Sequence, residues 1–225
     1  MTIRLLTAAC FLVCAGGMDA QSLRSGRVSS SAQASMTVRV YNYAGLSRRE
    51  LTLVESVAAD IFRESRIPIR WYDCGPSSRA EDDPGCGERA SLATFDLRIC
   101  RNCTSLATSE YGVRGYVVGS MATVSTTWSD EISRSLSVPS EYLLGRVIVH
   151  ELGHLLLGPG HAPVGIMKAH WTRDDLRPNN LGMLCFTAQQ ATLISSKLEY
   201  WHSAKNETIT LADAHLQVHS ATANK

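Results

Sequence analysis

The chain has 225 residues, of which 44% are hydrophobic and 19% are charged, and its formal net charge is +1. These values fit one globular domain of ordinary size with a substantial core. The near-zero charge gives no basic excess of the kind that nucleic-acid-binding proteins carry, and no basic amphipathic helix suggests a membrane surface. We therefore expect neither nucleic acid nor a membrane as a partner.

Residues 1–20 have the pattern of a secretory signal peptide. Arg4 precedes an apolar stretch, and small residues end at Ala20. At about eleven residues the apolar stretch is too short to span a bilayer. We expect export to the periplasm or the extracellular space, with lipid attachment at Cys10 or Cys14 as a minor alternative.

Three regions follow the predicted signal peptide. Residues 21–35 are rich in serine and small side chains and are predicted to be flexible. Residues 36–203 are predicted to form the single folded domain. Residues 204–225 are polar and form a predicted tail, in which Asn206 fits the glycosylation pattern.

The folded region begins with a strand pattern and a helix pattern. Met36 to Tyr43 alternates apolar and polar side chains, as a half-buried strand does. Leu46 to Arg66 has apolar residues at helical spacing, with Ser47 placed as an N-cap and Glu50 three residues later. This segment is therefore predicted to be a capped amphipathic helix.

Further strands precede a last helix. Pro68 to Tyr72 and Thr94 to Cys100 are predicted strands, separated by a loop rich in Gly, Pro and Asp. A strand pair is predicted across Gly115 to Val118 and Ala122 to Trp128. Thr187 to Trp201 has the apolar face of a final amphipathic helix.

Five cysteines remain after the predicted signal peptide. Because exported proteins usually bridge clustered cysteines, Cys74 is expected to pair with Cys86 and Cys100 with Cys103, although crossed pairings are equally allowed. A four-cysteine structural zinc site is the rival interpretation, but only one C-x-x-C knuckle is present. Cys185 is then the odd residue and is predicted to be a buried small hydrophobe.

The chemistry is concentrated between Leu143 and Met167. His150, Glu151 and His154 form H-E-x-x-H within an apolar helical segment. Residues four apart lie on one helix face, so both imidazoles can reach one ion. Zinc binds imidazole nitrogens, and a catalytic site has three protein ligands with water in the fourth position. Glu151 follows the first histidine directly, which brings its carboxylate to that water as the general base.

The residues after the helix supply a third ligand and a support. Gly158-Pro159-Gly160 is predicted to end the helix, because glycine tolerates a left-handed cap and proline cannot continue the hydrogen-bond ladder. The chain then folds back so that His161 approaches the metal. A tight turn at Gly165-Ile166-Met167 is predicted to place the Met167 thioether under the histidines.

These features together resemble the metzincin zinc peptidases. The family pattern is H-E-x-x-H-x-x-G-x-x-H, and this chain has one more residue between His154 and Gly158. The spacing from Gly158 to His161 is kept, so the simplest account is a helix longer by one residue, which rotates the exit by about 100°. If His161 does not bind the metal, Asp174 and Glu199 are the other candidate ligands.

The resemblance implies an α+β, zincin-like fold. Its parts are a twisted mixed β-sheet with helices packed on it, an active-site helix, and a small C-terminal subdomain with a final helix. In this fold family an extended substrate pairs with the edge strand, for which Tyr116 to Val124 is the candidate, with an ordinary hairpin as the alternative. Some metzincins carry a tyrosine two residues after the methionine. That position is Ala169 here, and the next residue, His170, is expected to be a surface histidine.

The sequence therefore predicts a secreted, monomeric zinc endopeptidase. Residues 36–203 would be its catalytic domain, with one Zn2+, Glu151 as the general base and a peptide or protein as the substrate. A secreted zinc-binding module without catalysis is one alternative, and Glu151 argues against it. A metal-dependent esterase or amidase acting on small molecules would keep the same residues, and only the shape of the cleft would separate it from a peptidase.

Overall fold

The computed structural model describes residues 34–75, 84–87, 90–103 and 115–204, all within one compact unit. The predicted signal peptide, all but the last two residues of the predicted flexible segment, and the tail from residue 205, including Asn206, lie outside the described residues. Within the described ranges, no helix is both long enough and apolar enough to cross a membrane.

A five-stranded mixed sheet forms one layer, with the strand order β2-β1-β3-β5-β4. Four of its strands run parallel, and β4 joins antiparallel to β5 at one edge, where no described strand lies on its other side. The prediction of a mixed sheet is confirmed. The strands are β1 (Met36–Asn42), β2 (Ile69–Asp73), β3 (Thr94–Cys100), β4 (Gly115–Val118) and β5 (Met121–Ser125).

Four helices accompany the sheet: α1 (Arg48–Glu64), α2 (Thr126–Leu136), α3 (Ser140–Leu157) and α4, residues 188–204. The predicted capping box of α1 is present. The Ser47 hydroxyl accepts from the Glu50 N–H at 3.3 Å, and the Glu50 carboxylate accepts from the Ser47 N–H at 2.7 Å. These two bonds satisfy backbone donors that the first turn leaves without helical partners.

The core lies between the helices and one face of the sheet. Alternate strand residues such as Val38, Val40 and Leu97 are fully buried, as the period of two requires. Helix α3 contacts α1, α2 and the strands on the β4 side of the sheet, and its residues from Leu143 to Gly153 are buried all round. This position explains why the sequence of α3 is apolar on every face.

The predicted strand Ala122 to Trp128 is wrong after Ser125. The β-branched and aromatic residues that follow Ser125 favour a strand, but the Ser125 hydroxyl accepts from the Thr127 N–H and donates to the Arg101 carbonyl at 2.7 Å. Ser125 is therefore the N-cap of α2. Ser137 does not begin the next helix: it is the left-handed C-cap of α2, and α3 begins at Ser140.

Both nearest-neighbour disulfides are present, Cys74 with Cys86 and Cys100 with Cys103. Cys185 is a free thiol that is half-buried rather than buried, and it donates to the Glu64 carboxylate at 3.2 Å. Burial, reinforced by this carboxylate, raises the pKa of the Cys185 thiol to about 11. The thiol is therefore protonated at neutral pH and is not a nucleophile.

Candidate metal centre

Helix α3 presents two histidines one turn apart, at the level of the sheet edge. The Nε2 atoms of His150 and His154 lie 3.0 Å from each other, and their ring centroids are 4.7 Å apart. Two imidazole ligands of one tetrahedral zinc have their nitrogens about 3.3 Å apart at ordinary Zn–N lengths. The pair is therefore close to the separation that a shared metal ion requires.

His161 returns to this pair after the helix ends. Gly158 has a φ of 97°, and its N–H donates to the His154 carbonyl at 2.9 Å, which caps α3 directly after Leu157. The His161 ring centroid then lies 4.8 Å from that of His154 and 5.4 Å from that of His150. Helix α3 therefore continues through all three residues after His154 up to Leu157, and His161 still reaches the other two histidines.

The three histidines form a cluster whose candidate ligand atoms all lie within 4.8 Å of one another. Within the described ranges this is the one such group of histidine, cysteine and acidic residues, so neither Asp174 nor Glu199 joins it. Three imidazoles that leave a fourth position open are the donor set of catalytic zinc sites. The residues present therefore fit a zinc ion.

Backbone carbonyls orient two of the rings. His150 Nδ1 lies 2.8 Å from the Ile166 carbonyl, and His154 Nδ1 lies 3.1 Å from the Gly158 carbonyl. A carbonyl oxygen only accepts, so each Nδ1 carries the proton and each Nε2 keeps its lone pair for a metal. The helix cap at Gly158 thus also fixes the tautomer of a candidate ligand.

Burial favours the neutral form of His150 and His161. Loss of solvent lowers the pKa of His150 to about 4, against the opposing hydrogen bond to the Ile166 carbonyl. Partial burial, with His154 and His170 nearby, also lowers the pKa of His161. Only the neutral imidazole has a lone pair to offer to a metal. Both rings are therefore in the binding form at neutral pH.

The turn at Met167 supports the cluster from below. Gly165 has a φ of 75°, which L-residues rarely adopt, and a Cβ there would lie 2.5 Å from the Cys185 carbonyl oxygen. A side chain at this position would therefore strain the backbone and clash with Cys185. Met167 is 1% exposed and lies directly against α3, where a Cβ on Gly153 would be 2.4 Å from its sulfur. The thioether therefore packs against the turn of α3 that carries the two histidines.

Trp171 is a further part of the site, to which the sequence analysis assigned no role. Its indole N–H donates to the Ile166 carbonyl at 3.2 Å, the same oxygen that accepts from His150, and its ring meets His150 edge-on with centroids 5.8 Å apart. Gly153 was also missed. A glycine in a helix interior costs about 1 kcal/mol relative to alanine, and that cost was an available signal of close packing.

Glu151 lies in the same cleft as the histidines, which has a volume of about 330 Å³ and opens to solvent. Its side chain is 2% exposed, and burial raises the pKa of its carboxyl to about 8. The edge strand β4 borders the cleft, but of the candidate rim Tyr116 to Val124 only Tyr116 and Val117 line it, because Met121 to Val124 belong to the inner strand β5. The cleft is lined by Gly115, Tyr116, Val117, Pro159, Ala169 and His170 together with Glu151 and the three histidines.

Comparison with known proteins adds the following. No protein-family model matches the chain, and no curated protein matches it. Among solved structures, the chain is similar in fold to archaemetzincin from Methanopyrus kandleri, with a TM-score of 0.47 and 16% sequence identity over 76% of this chain and 99% of that chain.

Proposed function

We propose that this protein is a secreted zinc-dependent endopeptidase in which Glu151 is the general base. One observation carries the proposal: the Glu151 carboxyl and the three clustered histidines line one open cleft beside the sheet edge. When bound, zinc supplies a Lewis acid that polarises a carbonyl and lowers the pKa of a water. The protein supplies orientation, a base and a surface for the substrate.

The histidines hold the cation and are themselves held. His150 and His154 offer Nε2, because their Nδ1 protons are bound to the Ile166 and Gly158 carbonyls. Such contacts fix the ring orientation and raise the basicity of the ligand. His161 is the exposed member of the set and offers a ring nitrogen from the loop after α3.

Glu151 moves the proton. It removes a proton from the attacking water as that water adds to the peptide carbonyl, and it then delivers the proton to the departing amine. With burial alone the pKa of Glu151 is about 8, so a nearby positive charge is needed to favour the carboxylate at neutral pH. A buried Glu151 whose carboxyl is ionised only when the metal cation is bound nearby suits the role of general base.

The shape of the cleft favours a polypeptide substrate over a small ester or amide. The cleft is open rather than enclosed, and Gly115, Tyr116 and Val117 of the edge strand β4 line one side of it. No described strand pairs with the outer side of β4, and this is the side along which an extended chain would add. Strand addition of this kind holds a peptide largely through main-chain hydrogen bonds.

Secretion is part of the proposal. The pattern of residues 1–20 supports it, because a charged start, a short apolar stretch and small residues are typical of signal peptides. The two disulfides also support it, since such bridges persist in oxidising compartments outside the cytosol.

The test is Glu151→Gln, which keeps the shape of the side chain and removes the base. We expect the variant to retain one zinc per chain and to lose about 10²–10⁴-fold in kcat on casein or gelatin. Activity of the parent should be lost with a chelator and restored by zinc. Glu131→Gln, at an exposed position of α2, is the matched control. If Glu151→Gln cleaves protein as fast as the parent, the proposed role of Glu151 is wrong.

A further inference from the structure

We propose that Gly115 is a positioning residue that fixes the Glu151 carboxyl relative to the edge strand β4. This inference rests on the proposed function, because it assigns a task to Gly115 through the base of that reaction. The two residues are 36 positions apart in the chain and meet where the first residue of β4 packs against α3.

The contact leaves no room for a side chain. A Cβ built on Gly115 would lie 2.5 Å from Cγ of Glu151 and 2.6 Å from both its Cδ and its Oε1. Real Cβ atoms essentially never approach other heavy atoms closer than 3.0 Å. Any residue other than glycine at position 115 therefore displaces either the Glu151 side chain or the start of β4.

The backbone conformation does not explain the glycine. Gly115 is not among the glycines with a positive φ, so an alanine could adopt its backbone angles without strain. Gly119, at the turn between β4 and β5, is the opposite case: its φ is 60°, and a Cβ there would meet nothing within 4 Å. Glycine is needed at position 119 for the backbone angles of the turn, whereas at position 115 it is needed because Glu151 packs too closely for a side chain.

Neither backbone is free to move away. Gly115 is paired with Val124 of β5 in the antiparallel ladder. On α3 the neighbours of Glu151 in sequence, His150 and Leu152, are 1% and 0% exposed. The softest element at the contact is the Glu151 side chain itself, so an added methyl would turn the carboxyl rather than shift the sheet or the helix.

The consequence is a fixed relation between base and substrate. The strand that limits Glu151 continues into Tyr116 and Val117, which form the wall of the cleft. A polypeptide held along β4 is thereby placed at a set distance from the Glu151 carboxyl. A misplacement of about 1 Å at a reacting group can cost about 10²-fold in rate, so the contact bears directly on turnover.

The experiment compares Gly115→Ala with two matched glycine variants. We expect Gly115→Ala to keep its zinc and to lose about 10–100-fold in kcat, with KM changed by less than about 3-fold. Gly182→Ala, where a Cβ meets nothing within 4 Å, should match the parent. Gly145→Ala, where a Cβ would be 2.8 Å from Val57 in the core, should lower the melting temperature but not kcat per folded molecule. A kcat for Gly115→Ala equal to that of Gly182→Ala would overturn the proposal.

A stability cycle tests the contact without any activity. Glu151→Ala removes the three atoms nearest to the new Cβ, so Gly115→Ala should lower the melting temperature clearly in the parent and much less in the Glu151→Ala protein. Folding of the double variant when the single variant does not fold would support the contact equally. An equal loss in both backgrounds would overturn it. If the parent cleaves no protein, the proposed function fails, and this cycle still decides whether Gly115 accommodates Glu151.

Discussion

The site segment, residues 140–171, and the flanking helices, α1 and α2 with their caps, are stabilised in different ways. In the site segment one oxygen, the Ile166 carbonyl, accepts from both His150 and Trp171, and Met167 packs on Gly153. The caps of the flanking helices are mostly local, such as the capping box between Ser47 and Glu50, which spans four residues. Changes to the contacts around the three histidines should therefore alter metal binding and fold together, whereas changes in the flanking helices should alter stability alone.

The largest expected effect is that of His161→Ala on zinc binding. Loss of one of three imidazoles should weaken zinc by more than about 100-fold, since removing even an outer partner of a ligand costs 10–100-fold. His170→Ala is the matched control, because His170 lines the same cleft but lies outside the three-histidine cluster. Competition with a chelator and elemental analysis give the affinities and the metal content. Unchanged zinc in His161→Ala would point to a different third ligand.

The next largest effect is that of Gly153→Ala on stability, because Gly153 packs against Met167 below the metal site. Gly153→Ala would place a Cβ 2.4 Å from the Met167 sulfur, and overpacking of this kind costs about 1–3 kcal/mol. In a Met167→Ala background the sulfur is gone and the nearest remaining atom is a Phe186 ring carbon at 3.2 Å, so the same substitution should cost clearly less than in the parent. Denaturant unfolding of the metal-free proteins measures both values. A loss of equal size in both backgrounds would show that Met167 is not the cause.

Much of the site segment could be predicted because its geometry is local in sequence. A spacing of four on a helix sets the two histidines on one face, and Gly158 ends the helix so that His161 turns back. The capped helix α1 follows from an equally short-range pattern, whereas the spacing of the cysteines left crossed pairings equally allowed and did not decide the two observed disulfides.

The features that the sequence did not predict depend on contacts between distant parts of the chain. The approach of Gly115 to Glu151 follows from how β4 packs on α3, which no spacing within either element encodes. Helix α2 was missed because its first residues favour a strand, while the deciding bonds of Ser125 and Thr127 go to the Arg101 carbonyl. Such contacts override local propensity only once the sheet is assembled.

In the flanking helices, Glu55 should make stability depend on pH. Burial on α1, with Asp73 nearby, raises the pKa of Glu55 from 4.5 to about 7. The folded protein then binds more protons than the unfolded chain between these values, so stability falls as pH rises from about 4.5 to about 7 and is level above that. Glu55→Gln should remove this loss and stabilise the protein by about 1–2 kcal/mol at pH 8.

Unfolding in denaturant at pH 5 and pH 8 measures this difference, with the exposed Glu131→Gln as the control. Zinc content and kcat should stay at the values of the parent, since Glu55 lies outside the cleft. A stabilisation of the same size at both pH values would contradict the assignment to the ionisation of Glu55.

The smallest effect concerns the end of α2, where Ser137 has a φ of 56°. A left-handed conformation costs an L-residue about 1–2 kcal/mol, whereas glycine adopts it freely but adds about 0.5–1 kcal/mol of chain entropy to the unfolded state. The first value exceeds the second, so Ser137→Gly should stabilise the protein by about 0.5–1 kcal/mol. Ser135→Gly, two residues earlier within the helix, should destabilise it by a similar amount, because there the entropy cost has nothing to offset it. Denaturant midpoints at a constant m-value give both signs. A loss of stability in both variants would mean that the left-handed cap of α2 is less strained than its φ indicates.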